Sequence, residues 1–407
     1  MIVRRFLAWS RLVAPGQRAD GVRALAQGYL YSSMPDEMRR EAEAALTSML
    51  DDPSPLVRLA LAEAFASARE APRHCVIALA CDQPEIAALV LGRSPLLLDE
   101  DLIDCAARGE PAIQSAIASR PSLSAAVSAA LVEFGAVEAL TALAQNAGAD
   151  VPELSLRRMV ERFGADGALR EALLSRPDLA PSVRTDLVHA AAAALSAFVS
   201  ERGWLSAERA ERLSRDAFER ASIAIAFEAA QEDPQDGCVD MARRLRIAGR
   251  LSPALMLRAL LSDHRSLFEA ALAELSGLPL ARAAGFVRYH QGGGFAALYA
   301  CARMPADLLP VFQSALAAQD QAGETRPRTQ ARLSRRLIGL VLGDCAGLEG
   351  AGMAKVTALL RRFDAEAAQQ DARDLMEQLS EAHPDSAVAP ELLGAARAPM
   401  LAFADLS

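Results

Sequence analysis

A chain of 407 residues is long enough for two or three ordinary domains or one long repeat array, and it buries a sizeable core without covalent staples. Apolar residues make up 52% and aromatics only 5%; much of the apolar share is Ala, the best helix former, and β-branched runs are scarce, so helices are expected throughout. A net charge of −9 weighs against a protein built to coat nucleic acid, which carries a basic field.

Residues 1–45 read as a helical cap of two helices. The second follows Pro35 and carries Asp36, Glu37, Arg39, Arg40, Glu41 and Glu43, the polar outer face that an end repeat needs because nothing stacks beyond it. Residues 46–195 read as a helical array. In Asp52-Pro53-Ser54-Pro55, Ser54 is expected to cap a helix, and Pro55 suits its first position, where a missing N–H costs nothing. Leu56, Val57, Ala60, Leu61, Ala64 and Phe65 then make a broad apolar face at helical period. More helices are predicted after Pro72 and Pro84, at Val137–Ala144 and at Leu156–Phe163.

One phrase returns along the array: Arg93-Ser94-Pro95-Leu96-Leu97-Leu98, Arg120-Pro121-Ser122-Leu123 and Arg176-Pro177-Asp178-Leu179. Each proline forbids continuation of the helix before it, and each following Leu packs under the next. Superposing Leu98, Leu123 and Leu179 brings Leu102, Val127 and Val183 into one helical position, and Ala106, Leu131 and Leu187 into another. Arg93, Pro95, Arg120, Pro121, Arg176 and Pro177 are therefore read as joints of a two-helix repeat, which completes its core only by stacking on neighbours. The acids Asp99-Glu100-Asp101 suit a helix start, against the dipole.

Residues 196–234 read as a connecting helix, 235–320 as a second helical lobe and 321–333 as an exposed linker. Residues 334–382 read as a C-terminal helical hairpin, and 383–407 as a loosely held tail.

The run Asp51-Asp52-Pro53-Ser54-Pro55-Leu56-Val57-Arg58-Leu59-Ala60-Leu61-Ala62-Glu63-Ala64 resembles a HEAT-type helical repeat. With the Arg-Pro-x-Leu joints it is similar to a group of uncharacterised helical-repeat proteins of alphaproteobacteria. That group is catalogued as a domain of unknown function and related to HEAT and leucine-rich-repeat-variant arrays. The resemblance covers about residues 45–320. It implies an all-α fold: a HEAT-like α-α superhelix (solenoid) with a second helical lobe and the C-terminal hairpin. It implies no activity.

Catalytic constellations are scarce. None of the five histidines has a partner at i+4, and Cys75 and Cys81 beside His74 do not have a zinc spacing, so neither metal nor cofactor is expected. Gly350, Gly352 and Lys355 lack the Gly-Lys-Ser/Thr ending of a phosphate loop. The six cysteines read as small buried apolar residues in a reducing compartment, and with no signal-peptide core or apolar run of spanning length the expected location is the cytoplasm.

Two stretches remain as candidate ligand or partner sites. Arg288, Tyr289 and His290 precede three glycines that let a partner approach closely or let the backbone take positive φ. Arg326, Arg328, Arg332, Arg335 and Arg336 form the densest basic cluster, without the interleaved aromatics of single-strand binders. The reading that fits best is a non-catalytic protein-protein interaction scaffold or regulatory adaptor with a protein partner. The alternatives are a nucleic-acid-binding protein similar to HEAT-like DNA glycosylases, and a small-ligand sensor binding between the two lobes.

Overall fold

A computed structural model of the chain describes residues 6, 8–10, 12–233, 236–322, 332–346 and 353–382. Among these the fold is all-α; the one extended pairing is an isolated parallel bridge between Leu123 and Ala149. The chain divides into two compact units, Met1–Phe218 and Glu219–Ser407.

The first unit contains α1 (Pro15–Tyr31), α2 (Asp36–Ser48), α3 (Pro55–Phe65), α4 (Arg73–Ala80), α5 (Pro84–Arg93) and α6 (Asp99–Arg108). It continues with α7 (Pro111–Ala118), α8 (Ala125–Phe134), α9 (Val137–Gln145), α10 (Glu153–Phe163), α11 (Gly167–Leu174) and α12 (Pro181–Glu201). Proline opens α1, α3, α5, α7 and α12, where its fixed φ is already helical. Helices pack on the next but one. The odd-numbered helices α1 to α11 form one ladder, and α6, α8, α10 and α12 form a second. One continuous apolar cluster fills the unit, from Val22 through Phe65, Val90, Ile117, Leu131, Leu143 and Met159 to Leu187.

The joints are tied by hydrogen bonds that reach back one repeat. The Arg120 guanidinium donates to the carbonyls of Leu91 and Ser94, the latter at 2.8 Å. Asn146 Nδ2 donates to Ala118 O at 2.8 Å and Arg120 O at 2.7 Å, and Arg176 donates to Ala144 O at 3.4 Å. Carbonyls at the end of a helix have no intrahelical partner, and a side chain one repeat later supplies one.

Two local expectations are corrected. At the first joint the extra Ser94 shifts the register by one residue. Leu97 is the buried staple, while Leu98 is 52% exposed and caps α6. At the start of α3 the Ser54 side chain caps nothing. Asp52 Oδ1 accepts the Ser54 N–H at 2.8 Å, and Asp52 is itself held by Arg18 at 2.8 Å.

Helix α13 (Ala207–Glu232) runs from the first unit into the second. The second unit then contains α14 (Gly237–Ile247), α15 (Pro253–Leu261), α16 (Arg265–Ser276), α17 (Leu280–Arg288), α18 (Gly293–Cys301), α19 (Leu309–Ala322), α20 (Arg335–Cys345) and α21 (Met353–Ala382). Its core holds an aromatic group: Phe268 stacks on Phe312 with centroids 5.6 Å apart, and Tyr299 tilts against both Phe312 and Phe295. The Tyr299 hydroxyl donates to Pro305 O at 3.0 Å, and burial pushes its pKa up. Among the described residues no single helix is long and apolar enough to cross a membrane.

Candidate functional site

Helix α15 is apolar from Leu255 to Leu261 except for Arg258, which is 2% exposed. A buried guanidinium needs partners, because an isolated charge in the interior is costly. Glu366 of α21 supplies them: Arg258 Nη1 donates to Oε1 at 2.7 Å and Nη2 to Oε2 at 2.9 Å. The guanidinium lies over the Phe363 ring, 4.4 Å from its centroid. Its Nε is 3.9 Å from Glu219 Oε2, beyond hydrogen-bond range, and has no hydrogen-bond partner among the described residues. Glu219 is also buried, and its Oε1 accepts from Ser252 Oγ at 3.2 Å.

This group forms the floor of a cleft of about 400 Å³. Helix α13 presents Arg220, Ile223, Ala224, Phe227 and Glu228 to it, one face at helical spacing. Helix α21 presents Ala367, Gln370, Asp371 and Arg373, and Arg332 and Leu333 close another side. Arg220 Nε lies 3.7 Å from Glu366 Oε1, so two guanidiniums address one carboxylate. The Phe227 ring stands edge-on to His264, with centroids 5.8 Å apart. His264 caps α16, its Nδ1 accepting from Leu267 N at 3.4 Å, and burial pushes its pKa down.

The structure separates the residues singled out from sequence. Arg288 ends α17 and is exposed, and Tyr289 is 75% exposed. His290 is buried, with Nδ1 3.7 Å from Asp320 Oδ2. Asp320 also accepts from Arg265 at 2.8 Å. The three residues thus do not converge on one ligand position. Nor do the neighbouring glycines take positive φ: Gly292 caps α18, and a Cβ on Gly294 would lie 2.7 Å from the Phe286 ring. Close packing, rather than backbone freedom, requires glycine at position 294.

Of the basic cluster, Arg326 and Arg328 lie outside the described residues. Arg332 pairs with Asp374 and lines the cleft, Arg335 pairs with Asp364 at 3.4 Å, and Arg336 is exposed on α20. Two of these arginines therefore bind α21 to the chain before it. At the joints, Arg120 and Arg176 make the ties described above, Arg93 is exposed, and Pro95, Pro121 and Pro177 are all exposed between helices. His74 Nε2 meets Thr47 Oγ1 at 2.8 Å, whereas Cys81 lies in a groove with Cys105.

Residues 86–349 match a family described as uncharacterised proteins conserved in bacteria (DUF2336). The chain belongs to this family. The DUF2336 match begins inside α5 and runs past α20, later at both ends than the 45–320 stretch of the resemblance. It includes Arg258 and stops before Glu366, so the cleft's central ion pair joins the DUF2336 region to a helix outside it. No curated protein and no solved structure matches the chain.

Arg258, Glu219 and Glu366 were not singled out from sequence. One signal was present: Arg258 is the only charged residue between Arg250 and Asp263, inside a run that otherwise reads as core. Nothing in the local sequence pointed to Glu366, one acid among many on a long amphipathic helix.

Proposed function

We propose that the protein is a non-catalytic scaffold that binds a protein partner in the cytoplasm along the outer face of the odd-numbered ladder, a HEAT-like helical-repeat surface. The observation that carries this reading is the difference in surface between the second ladder and the α5, α7 and α9 part of the first; at the start of the first ladder Arg23 of α1 pairs with Glu63 of α3 at 2.9 Å. On α6, α8, α10 and α12 the exposed charges engage one another across helices, Arg158 with Glu133 at 3.1 Å and Arg157 with Asp186 at 3.1 Å, and the buried Ser182 hydroxyl donates to Glu153 at 2.6 Å. Arg73 of α4 likewise meets Asp101 at 3.1 Å. A face whose charges are already paired offers little to a partner, and it carries no unpaired basic stripe for a phosphate backbone. By contrast the solvent-reached side of α5, α7 and α9 carries exposed Ala112 and half-buried Ala88, Ser115, Ala116, Thr141 and Ala142, with charges only at helix ends. Such a surface lets another polypeptide approach closely at small desolvation cost, and charge-poor interface centres are the common pattern.

The test compares two double variants in co-purification with quantitative mass spectrometry. A112R/Q145R places charge on the odd-numbered ladder, and E133Q/R158Q removes a pair from the other. A stoichiometric partner retained by the wild type and by E133Q/R158Q but lost from A112R/Q145R supports the reading. A partner lost only from E133Q/R158Q, or equally retained by both, overturns the choice of face. Recovery of nuclease-sensitive nucleic acid instead of protein overturns the scaffold itself.

A further inference from the structure

We propose that the groove between α4 and α6 of the first unit is a binding site for a soft monovalent cation of the copper(I) class, held between the sulfurs of Cys81 and Cys105. The site does not rest on the scaffold reading.

Cys75 and Cys81 are neighbours in sequence, but the fold gives them different surroundings. Cys75 is buried, and its Sγ meets Thr47 Oγ1 at 3.5 Å and His74 Nε2 at 3.4 Å. Cys81 caps the C-terminus of α4 and is exposed; it lines a groove of about 320 Å³ together with the half-buried Cys105 of α6. The two sulfurs share one electrostatic neighbourhood: burial pushes the Cys105 thiol up, charge on Cys81 pushes it further, and Arg108 opposes both. Among the described residues neither thiol has a hydrogen-bond partner.

The carboxylates of the groove are already engaged. Asp82 accepts from Arg58 at 2.7 and 3.0 Å, Asp101 from Arg73 at 3.1 Å and from the Leu98 N–H at 2.9 Å, and Asp104 from Arg108 at 3.1 Å. Other walls are apolar, with Ile77, Leu97 and Ile113. Two thiols in such a setting select an ion by its coordination. Structural zinc takes four ligands and iron–sulfur clusters four cysteines, whereas among the described residues no three His, Cys, Asp or Glu side chains group to hold a metal ion. Calcium and magnesium need shells of oxygen. Copper(I) is soft, favours thiolate sulfur, and as a closed-shell ion is satisfied by two sulfurs in line.

Binding exchanges protons for the ion. Each thiol gives up its proton to solvent, two S–H bonds break and two S–Cu bonds form, and the copper keeps its oxidation state. The product is a singly negative dithiolate complex, and Arg108, which already favours the Cys105 thiolate, stabilises that charge.

Anaerobic titration of the reduced full chain with copper(I), in competition with the chromophoric chelator bicinchoninate, tests the site. The expected result is about one equivalent per chain withheld from the chelator, with about two protons released per ion in weakly buffered solution. X-ray absorption at the copper edge should count two sulfurs. Cys81→Ser and Cys105→Ser should each lower the affinity by about tenfold or more. Cys301→Ser, which replaces the other exposed cysteine, should leave it unchanged. Cys81 is exposed, so Cys81→Ser keeps the fold, which circular dichroism verifies. Failure to withhold copper from the chelator overturns the proposal, as does a Cys81→Ser protein that binds like the wild type. Release of one proton per ion, or a copper shell of three or more protein ligands, overturns the two-sulfur geometry.

Discussion

The two units solve the same problem, holding short Ala-rich helices together, by opposite means. In the first, the specific ties are local in sequence and recur: Arg58 to Asp82 spans 24 residues, Arg120 to Leu91 spans 29, and Asn146 to Ala118 spans 28. In the second, the central tie is made once and over a long distance: Arg258 to Glu366 spans 108 residues, and Gln319 Nε2 reaches back 59 residues to the carbonyl of Leu260. Many short ties spread stability over the array, so losing one is felt locally. A single buried charge concentrates it, so its loss is felt by every helix around it.

The largest effect is expected from Arg258→Ala. Removing one partner of a buried ion pair leaves the carboxylates uncompensated, and the expected loss is about 3–5 kcal/mol. Hydrogen exchange read by mass spectrometry should show lost protection across α15, α16 and α21 and none across α5–α9. If both units lose protection together, their stabilities are not separable. Arg258→Met combined with Glu366→Leu should cost less than Arg258→Ala alone, since it removes the stranded charge along with its partner.

Asn146→Ala should act on the first unit alone. Two carbonyls, of Ala118 and Arg120, lose their donor, for an expected cost of about 1–3 kcal/mol. The extra exchange should be confined to α7, α9 and the joint at Pro121. Spread into α3 or α12 would mean that the array unfolds as one body.

The smallest expected effect is a difference in pH response. Burial holds the His264 pKa below its ordinary value, whereas the unfolded chain takes up this proton near the ordinary pKa of about 6.5. The contribution of this cap is therefore complete above about pH 6.5 and declines as pH falls toward the folded-state value. A protonated Nδ1 no longer accepts from Leu267 N–H. His264→Asn caps without titrating in this range. Melting temperatures at pH 7.5 and 5.5 should therefore differ less in His264→Asn than in the wild type; an unchanged difference would show that other groups set the acid response of the second unit.

The contrast also explains what was legible in the chain. Helices were readable because punctuation is local: a proline at position 55 or 84 both ends one segment and pre-shapes the next. Of the apolar face from Leu56 to Phe65, Val57, Ala60, Leu61 and Phe65 are buried and Ala64 is half-buried, whereas Leu56, at the helix start, is 57% exposed. The one-residue slip at Leu97 was not readable, because three leucines in a row satisfy either register and only packing chooses. The cleft was not readable for a different reason. Its members come from α13, α15 and α21, and no local pattern indicates that an arginine at 258 will meet a glutamate at 366. Conversely, Arg288, Tyr289 and His290 are adjacent in sequence, yet the end of α17 turns His290 inward and leaves Tyr289 outside.

The backward reach of the joint ties has a consequence for copy number. Arg120 needs only the carbonyls of the preceding joint, and Asn146 needs only those at Ala118 and Arg120. Duplicating or excising one helix pair therefore leaves each of these joint ties a backbone carbonyl to bind, whereas a side-chain tie such as Arg58 to Asp82 keeps its need for one partner. Such an array can grow or shrink by recombination in whole pairs while remaining foldable at each step. The second unit has no such freedom. An inserted helix pair between α15 and α21 would still have to deliver Glu366 to the one guanidinium that awaits it.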